Sequence, residues 1–297
     1  MTRPSRPGRS PPPSPRRKTP ALGAGLILGL AAGAAGCADD PPFIAPVPPA
    51  ADAGCVVGEV ARTFDVYFVV DVSGSMNTFL LGPDGSGSGG LADRLGTFAL
   101  GFPTRDQNDD RVVVNYYVVA FVNDVKLFPV GAERMTSHIA VAAALREAIQ
   151  AATPERNLNN STPNADSDEN LLDALGAVID RAPSADTTLV LAATDAEFRE
   201  RGETLSGGIT VQRTYDEVVE GIRELGIRVH AFVPGPVDGL SRPYRGQVAL
   251  PDINEGLVFS LDELTGDPEA LDAILRQLAS DASCNPVVGS ERPDAST

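Results

Sequence analysis

Apolar and polar positions along the chain follow two alternating periods. Val66-Tyr67-Phe68-Val69-Val70 is an unbroken run of β-branched and aromatic residues, the pattern of a strand buried on both faces. Residues 91–100 follow a glycine-rich segment and read as a helix, and 112–122 read as a long strand. Asn123-Asp124 suits a turn, after which 125–130 can pair back as a hairpin. Leu171, Leu172, Leu175, Val178 and Ile179 fall on one helical face, as do Tyr215, Val218, Val219, Ile222 and Leu225. Gly226 is placed to stop the latter helix. Residues 189–193 and 227–233 read as two more buried strands. A last helix is expected from Asp267-Pro268, with Leu271, Ile274, Leu275 and Leu278 as its buried stripe. This alternation predicts an α/β fold: a doubly wound, mostly parallel six-stranded sheet, helices on both faces, and one antiparallel edge strand. Ligands of such sheets bind at the carboxyl ends of the strands.

Composition narrows the picture. With 297 residues, 42% of them hydrophobic, the chain can build one large domain with a sizeable core. The formal charge of −16 conceals an asymmetry. Arg3, Arg6, Arg9, Arg16, Arg17 and Lys18 lie within residues 1–36, which hold no acid. Without those six, 18 of the 24 basic residues face 40 acidic ones, a net charge of −22. Such a surface repels phosphate backbones and argues against nucleic acid as a partner. His138 and His230 have no cysteine or carboxylate at zinc-ligand spacing around them, which argues against a His-rich zinc site.

The N-terminus reads as an address. Residues 1–20 are rich in Pro, Ser and Arg, an apolar run of 16 residues occupies 21–36, and Cys37 follows. Basic, apolar and small-residue segments in that order make a secretory signal, and the run falls short of the ~20 residues of a membrane span. Ala34-Ala35-Gly36-Cys37 resembles a bacterial lipobox, with Ala34 where Leu is usual. That resemblance implies lipidation of Cys37 and an exported, membrane-anchored lipoprotein of the cell envelope; ordinary cleavage nearby is the alternative. Spending Cys37 on lipid leaves Cys55 and Cys284, which bracket the periodic region and could pair as a disulfide in an oxidising compartment. Closing so long a loop is worth about 5 kcal/mol in the chain-entropy model. The domain plan is then a signal peptide over 1–36, a Pro-rich tether over 37–54, a domain over 55–284 and a disordered tail over 285–297. The tether could reach about 50 Å at roughly 3.1 Å per residue.

Candidate chemistry sits at the strand ends. Directly after the first strand come Asp71-Val72-Ser73-Gly74-Ser75. An Asp, Ser, Ser set at alternate positions aims three oxygens at one point, as a hard cation in near-octahedral geometry requires. This D-x-S-x-S resembles the metal-ion-dependent adhesion site of the von Willebrand factor A family, over roughly residues 55–284. Thr194-Asp195, ending the strand 189–193, resembles the T-D of the same family. Between them, Thr162 is available as the Thr that many members use. A closer match is Asn164-Ala165-Asp166-Ser167-Asp168-Glu169, which resembles the N-x-D-S-P-E of integrin β subunits. That version implies Glu169 as a direct metal ligand and Asn164 and Asp166 as holders of a Ca²⁺ at an adjacent site. Asp168 replaces its Pro, and Asn77-Thr78 replaces the acidic pair of a third integrin site.

The resemblance implies a non-enzymatic adhesion or scaffold module. Ser73, Ser75 and Glu169 would bind Mg²⁺ or Mn²⁺ directly, Asp71 and Asp195 would act mainly through water, and an open position would take a carboxylate from a partner protein. Segments 79–90, 196–213 and 234–256 would rim the site. Two alternatives stand beside this reading. Asp71 could be a phosphoryl-accepting nucleophile of a metal-dependent phosphatase, although Ser73 stands where such enzymes carry a second Asp. The domain could also be a structural spacer without metal.

Overall fold

The computed structural model describes residues 62–82, 85, 90–102, 111–131, 134–153, 155–160, 162–165, 167–181, 183, 185–262 and 268–284. Their elements run β1 (Arg62–Asp71), α1 (Asn77–Leu81), α2 (Leu91–Gly101), β2 (Val112–Phe121), β3 (Val125–Phe128), α3 (His138–Ala152), α4 (Leu171–Asp180), β4 (Thr187–Ala193), β5 (Thr204–Leu205), β6 (Ile209–Thr210), α5 (Tyr215–Glu224), β7 (Arg228–Val233), β8 (Val258–Ser260) and α6 (Pro268–Cys284). Six strands form one sheet in the order β3-β2-β1-β4-β7-β8. All its pairings are parallel except β2 with β3, the antiparallel edge that the hairpin pattern predicts.

β1 is flanked on both sides, so every residue from Phe64 to Asp71 is buried. Its period of two sorts the core. Phe64, Val66, Phe68 and Val70 face α2, α3 and α6, while Tyr67 and Val69 face α4 and α5. The stripes predicted for α4 and α5 are the ones buried: Leu171, Leu172, Leu175 and Val178 on the first, Tyr215, Val218, Val219 and Ile222 on the second. At about 1.5–3 kcal/mol per fully buried large side chain, these stripes clamp two helices to one face of the sheet. A capping box between Thr214 and Glu217 starts α5, and Gly226, at φ 62°, ends it.

Three features go beyond the predicted set. α3 is a full helix with Val141, Ala144, Leu145, Ala148 and Ile149 buried, and Ser137 caps it by accepting from the Ala140 amide. Residues 79–90, expected as exposed rim, begin inside α1, where Leu80 is buried. Within 196–213, β5 and β6 form a small hairpin turned at residues 206–208. Cys37, the tether, Cys55, Asp166 and the 285–297 tail lie outside the described residues, and of Cys284 only its backbone place at the end of α6 is described.

Candidate metal centre

The strand order reverses on either side of β1 and β4, so the crevice at their carboxyl ends is the expected ligand site. The alternation that buries Tyr67 and Val69 carries Asp71 to the same face, with none of its surface exposed. One more ladder bond, from the Val72 amide to the Phe121 carbonyl at 3.0 Å, holds the chain beyond β1 before it turns.

There the predicted oxygens form one hydrogen-bonded chain. The Ser73 amide donates to Asp71 Oδ1 at 2.8 Å, and the Thr194 hydroxyl donates to Asp71 Oδ2 at 2.7 Å. Ser73 Oγ lies 3.0 Å from Ser75 Oγ, and Ser75 Oγ donates to Asp195 Oδ1 at 3.0 Å. Thr194 is fixed in turn by the Ala196 amide, which donates to its Oγ1 at 3.1 Å. The set runs from buried Asp71 and Ser73, through half-buried Asp195, to exposed Ser75. It therefore opens to solvent on the Ser75 side.

Burial dominates the electrostatics. It pushes the Asp71 carboxyl up from 3.8 to about 6, against the hydrogen bonds from Ser73 and Thr194, and nearby Asp195 adds to the rise. Burial also raises Asp195, opposed by its bond from Ser75. Two neighbouring carboxyls that resist ionisation are a place where a cation is stabilising.

Glu169 is brought to the same edge by its backbone. Its amide donates to the Glu197 carbonyl at 2.8 Å, beyond β4, and the Asn170 amide donates to the Val122 carbonyl at 2.9 Å, beyond β2. Since β1 lies between β2 and β4, residues 169–170 cross over its end. The side chain is buried, and Asn164 Nδ2 donates to its Oε1 at 3.0 Å. Thr162 is engaged otherwise: its hydroxyl donates to Asn160 Oδ1 at 2.6 Å and accepts from Asn157 Nδ2 at 2.7 Å. Asp168, in the position of the integrin Pro, pairs with the Arg199 guanidinium at 2.8 Å.

Beside Asn164, which the sequence singles out, sequence reasoning missed Asn123 and Asn157. Oδ1 of all three is shut off from solvent, and among the described residues no donor reaches it. Asn123 and Asn157 both turn their amide nitrogens to Ser206. Buried acceptors lacking donors suit a hard, oxygen-seeking cation. Asn123 read as a turn residue and Asn157 carried no signal, because only the tertiary fold joins the two loops. The neighbouring Asp124 is committed to structure, accepting from the Leu158 and Asn159 amides at 2.7 Å each. Among the described residues no three His, Cys, Asp or Glu side chains are grouped to hold a metal. The candidate set instead mixes carboxylates with hydroxyls and amides, a hard donor set.

The sheet order, its antiparallel edge and the helices on both faces make this a doubly wound, mostly parallel α/β fold. No protein-family profile and no curated protein matches the chain. Solved structures similar to it include proximal thread matrix protein 1 of the mussel byssus with a zinc-occupied MIDAS motif, at 17% identity and TM-score 0.47, over 80% of this chain and 50% of that one. A von Willebrand factor type A protein from Catenulispora acidiphila is 16% identical, with TM-score 0.46, over 75% of this chain and 43% of that one. BatB from Bacteroides thetaiotaomicron is 15% identical, with TM-score 0.43, over 74% of this chain and 98% of that one. The chain thus spans half or less of the mussel and Catenulispora chains.

Proposed function

We propose that the domain is a protein-binding module that holds a divalent cation at the carboxyl edge of its sheet and uses it to grip a carboxylate of a partner protein. The observation that carries this reading is the single chain of hydrogen bonds linking Asp71, Ser73 and Ser75, at the end of β1, to Asp195, 120 positions beyond Ser75 at the end of the neighbouring β4. Ser73, Ser75 and Glu169 are the proposed direct ligands of Mg²⁺ or Mn²⁺, with Asp71 and Asp195 acting mainly through water. The bound cation supplies an electrophilic coordination position. Asp71 and Thr194 brace the serine-bearing turn, and the exposed side at Ser75 leaves room for the partner. Asn164 Oδ1, which no donor reaches among the described residues, favours an adjacent Ca²⁺, with Asp166 as its proposed companion.

A phosphoryl-accepting role for Asp71 fits less well. Both its oxygens already accept hydrogen bonds and its surface is fully covered, whereas a nucleophile needs an open face. Calorimetric titration of the purified chain with Mg²⁺ and Mn²⁺ should show a saturable site, lost in a Ser73→Ala/Ser75→Ala double variant. Envelope proteins should then be retained on the Mg²⁺-loaded chain and released by EDTA. Absence of metal binding by the native chain would end this reading.

The module is also proposed to be tethered to the envelope through lipid on Cys37, with Cys55 and Cys284 joined as a disulfide. Mass spectrometry of the membrane fraction should find residue 37 as an acylated N-terminus. Non-reducing peptide mapping should recover residues 55 and 284 in one linked fragment. Cleavage elsewhere without lipid, or two alkylatable thiols, would refute the respective claim.

A further inference from the structure

The metal-binding turn has a neighbour that the adhesion-site resemblance does not include. Glu155, three residues beyond the end of α3, lays its side chain over Gly74, the residue between the two serines. A methyl group on Gly74 would stand 2.9 Å from Glu155 Oε1, 3.0 Å from its Cγ and 3.3 Å from its Cδ. The carboxylate therefore rests on the backbone that joins the two hydroxyl-bearing residues, whose oxygens are 3.0 Å apart.

Its base and its tip are held very differently. The Glu155 carbonyl accepts from the Asn164 amide at 2.9 Å, and the next amide, of Arg156, donates to the Ala152 carbonyl at 2.9 Å. Arg156 bridges to Pro163, and Asp124 grips the amides of residues 158 and 159. The backbone at Glu155 is held at φ 37°, a left-handed conformation that non-glycine residues seldom adopt. Such an outlier in a pinned loop is the kind of strain found at functional sites. By contrast, the side chain is exposed, and among the described residues no hydrogen bond or ion pair holds its carboxylate. A fixed base with an unheld carboxylate at the mouth of an acidic turn makes an arm.

We propose that Glu155 is a built-in competitor for the partner: its carboxylate fills the open coordination position of the cation until a partner carboxylate displaces it. The inference rests on the metal-site reading above. Carboxylate is the ligand class that reading gives the position, and this one is tethered over Gly74, between the two proposed serine ligands, which gives it a high effective concentration. An arm that occupies the position nine times in ten weakens an incoming carboxylate about tenfold.

The test uses Mn²⁺ on the full chain, read by water-proton relaxation, with sodium acetate as the probe carboxylate. Glu155→Gln removes the charge. Glu155→Gly removes the arm and suits the left-handed backbone, so it keeps the fold. Gly74→Ala leaves the arm intact but puts a methyl where the carboxylate rests, and Gly74 itself has no left-handed requirement. In all three, bound Mn²⁺ should gain one exchangeable water, raising its relaxation enhancement, and acetate should bind about tenfold tighter than to the native chain. Relaxation and acetate affinity unchanged in Glu155→Gln and Glu155→Gly would overturn the arm while leaving the metal site standing. Failure of the native chain to bind Mn²⁺ would overturn both.

Discussion

In EDTA, the chain carrying Asp71→Asn will lose less stability between pH 4 and pH 7 than the native chain does. The cause is the burial that lifts the Asp71 carboxyl to about 6 in the folded state from 3.8 otherwise. Between those values the folded chain holds a proton that the unfolded chain has released. Raising the pH therefore costs the folded state, beginning near pH 4 and complete above about pH 6. A displacement of roughly two units corresponds to up to about 3 kcal/mol. Asparagine cannot ionise, so that share of the slope vanishes in the variant. The exchange has its own cost, because Asn must turn a donor toward the Ser73 amide or the Thr194 hydroxyl, and melting at pH 4 measures that cost directly. Relative to that baseline, the variant should gain steadily on the native chain up to pH 7. Mg²⁺ should reverse the order at pH 7, stabilising the native chain and leaving the variant unmoved. Below about pH 6 the metal must displace the proton, so its affinity should fall with falling pH. Parallel pH profiles for the two chains would show that Asp71 is not the buried acid described here.

Much of this architecture is legible in the order of residues, for a local reason. β1, β4 and β7 are buried on both faces, which favours apolar runs; these stand out unbroken at 66–70 and 189–193, while 227–233 is interrupted by Arg228 and His230, which β7 buries as well. α4 and α5 each bury one stripe, which demands helical spacing. α3 carries a comparable stripe in an alanine-rich segment behind a serine cap, so its signal was present too. β8 has three residues and the β5–β6 hairpin two per strand, too short for any period to register.

The candidate site divides in the same way. Asp71, Ser73 and Ser75 are neighbours in sequence, and their geometry follows from one strand and one turn. Thr194-Asp195 is legible as the end of an adjacent strand. What no local pattern carries is the packing between loops. Gly207, at φ 78°, lets the turn after β5 close on Thr162, whose Oγ1 would lie 2.5 Å from a methyl there. That contact, with the Asn157 and Asn160 bonds, decides that the Thr162 hydroxyl serves the loop. Likewise Glu155 reaches Gly74 across 81 positions of sequence, joined only by the fold.

Those loop contacts set the largest expected effect at the site. A metal that binds only the folded state stabilises it by about 2.7 kcal/mol at a hundredfold excess over Kd. For a domain of this size that is a rise in melting temperature of roughly 5–10 °C. Glu169→Ala should remove most of the rise, because it deletes the carboxylate that the 169–170 backbone carries over the end of β1. Glu169 is buried and bonded to Asn164, so the variant will also melt lower without metal. The readout is therefore the difference between Mg²⁺ and EDTA within each variant, not the melting temperature itself. Thr162→Ala supplies the opposite signature. It removes one bond each from Asn157 Nδ2 and Asn160 Oδ1, which keep the Ser206 carbonyl and the Thr162 amide as partners, and should cost about 1 kcal/mol of stability, yet leave the Mg²⁺ difference intact. A rise that survives Glu169→Ala and disappears in Thr162→Ala would mean that the threonine leaves its loop partners to bind the metal, and that Glu169 only buttresses Asn164.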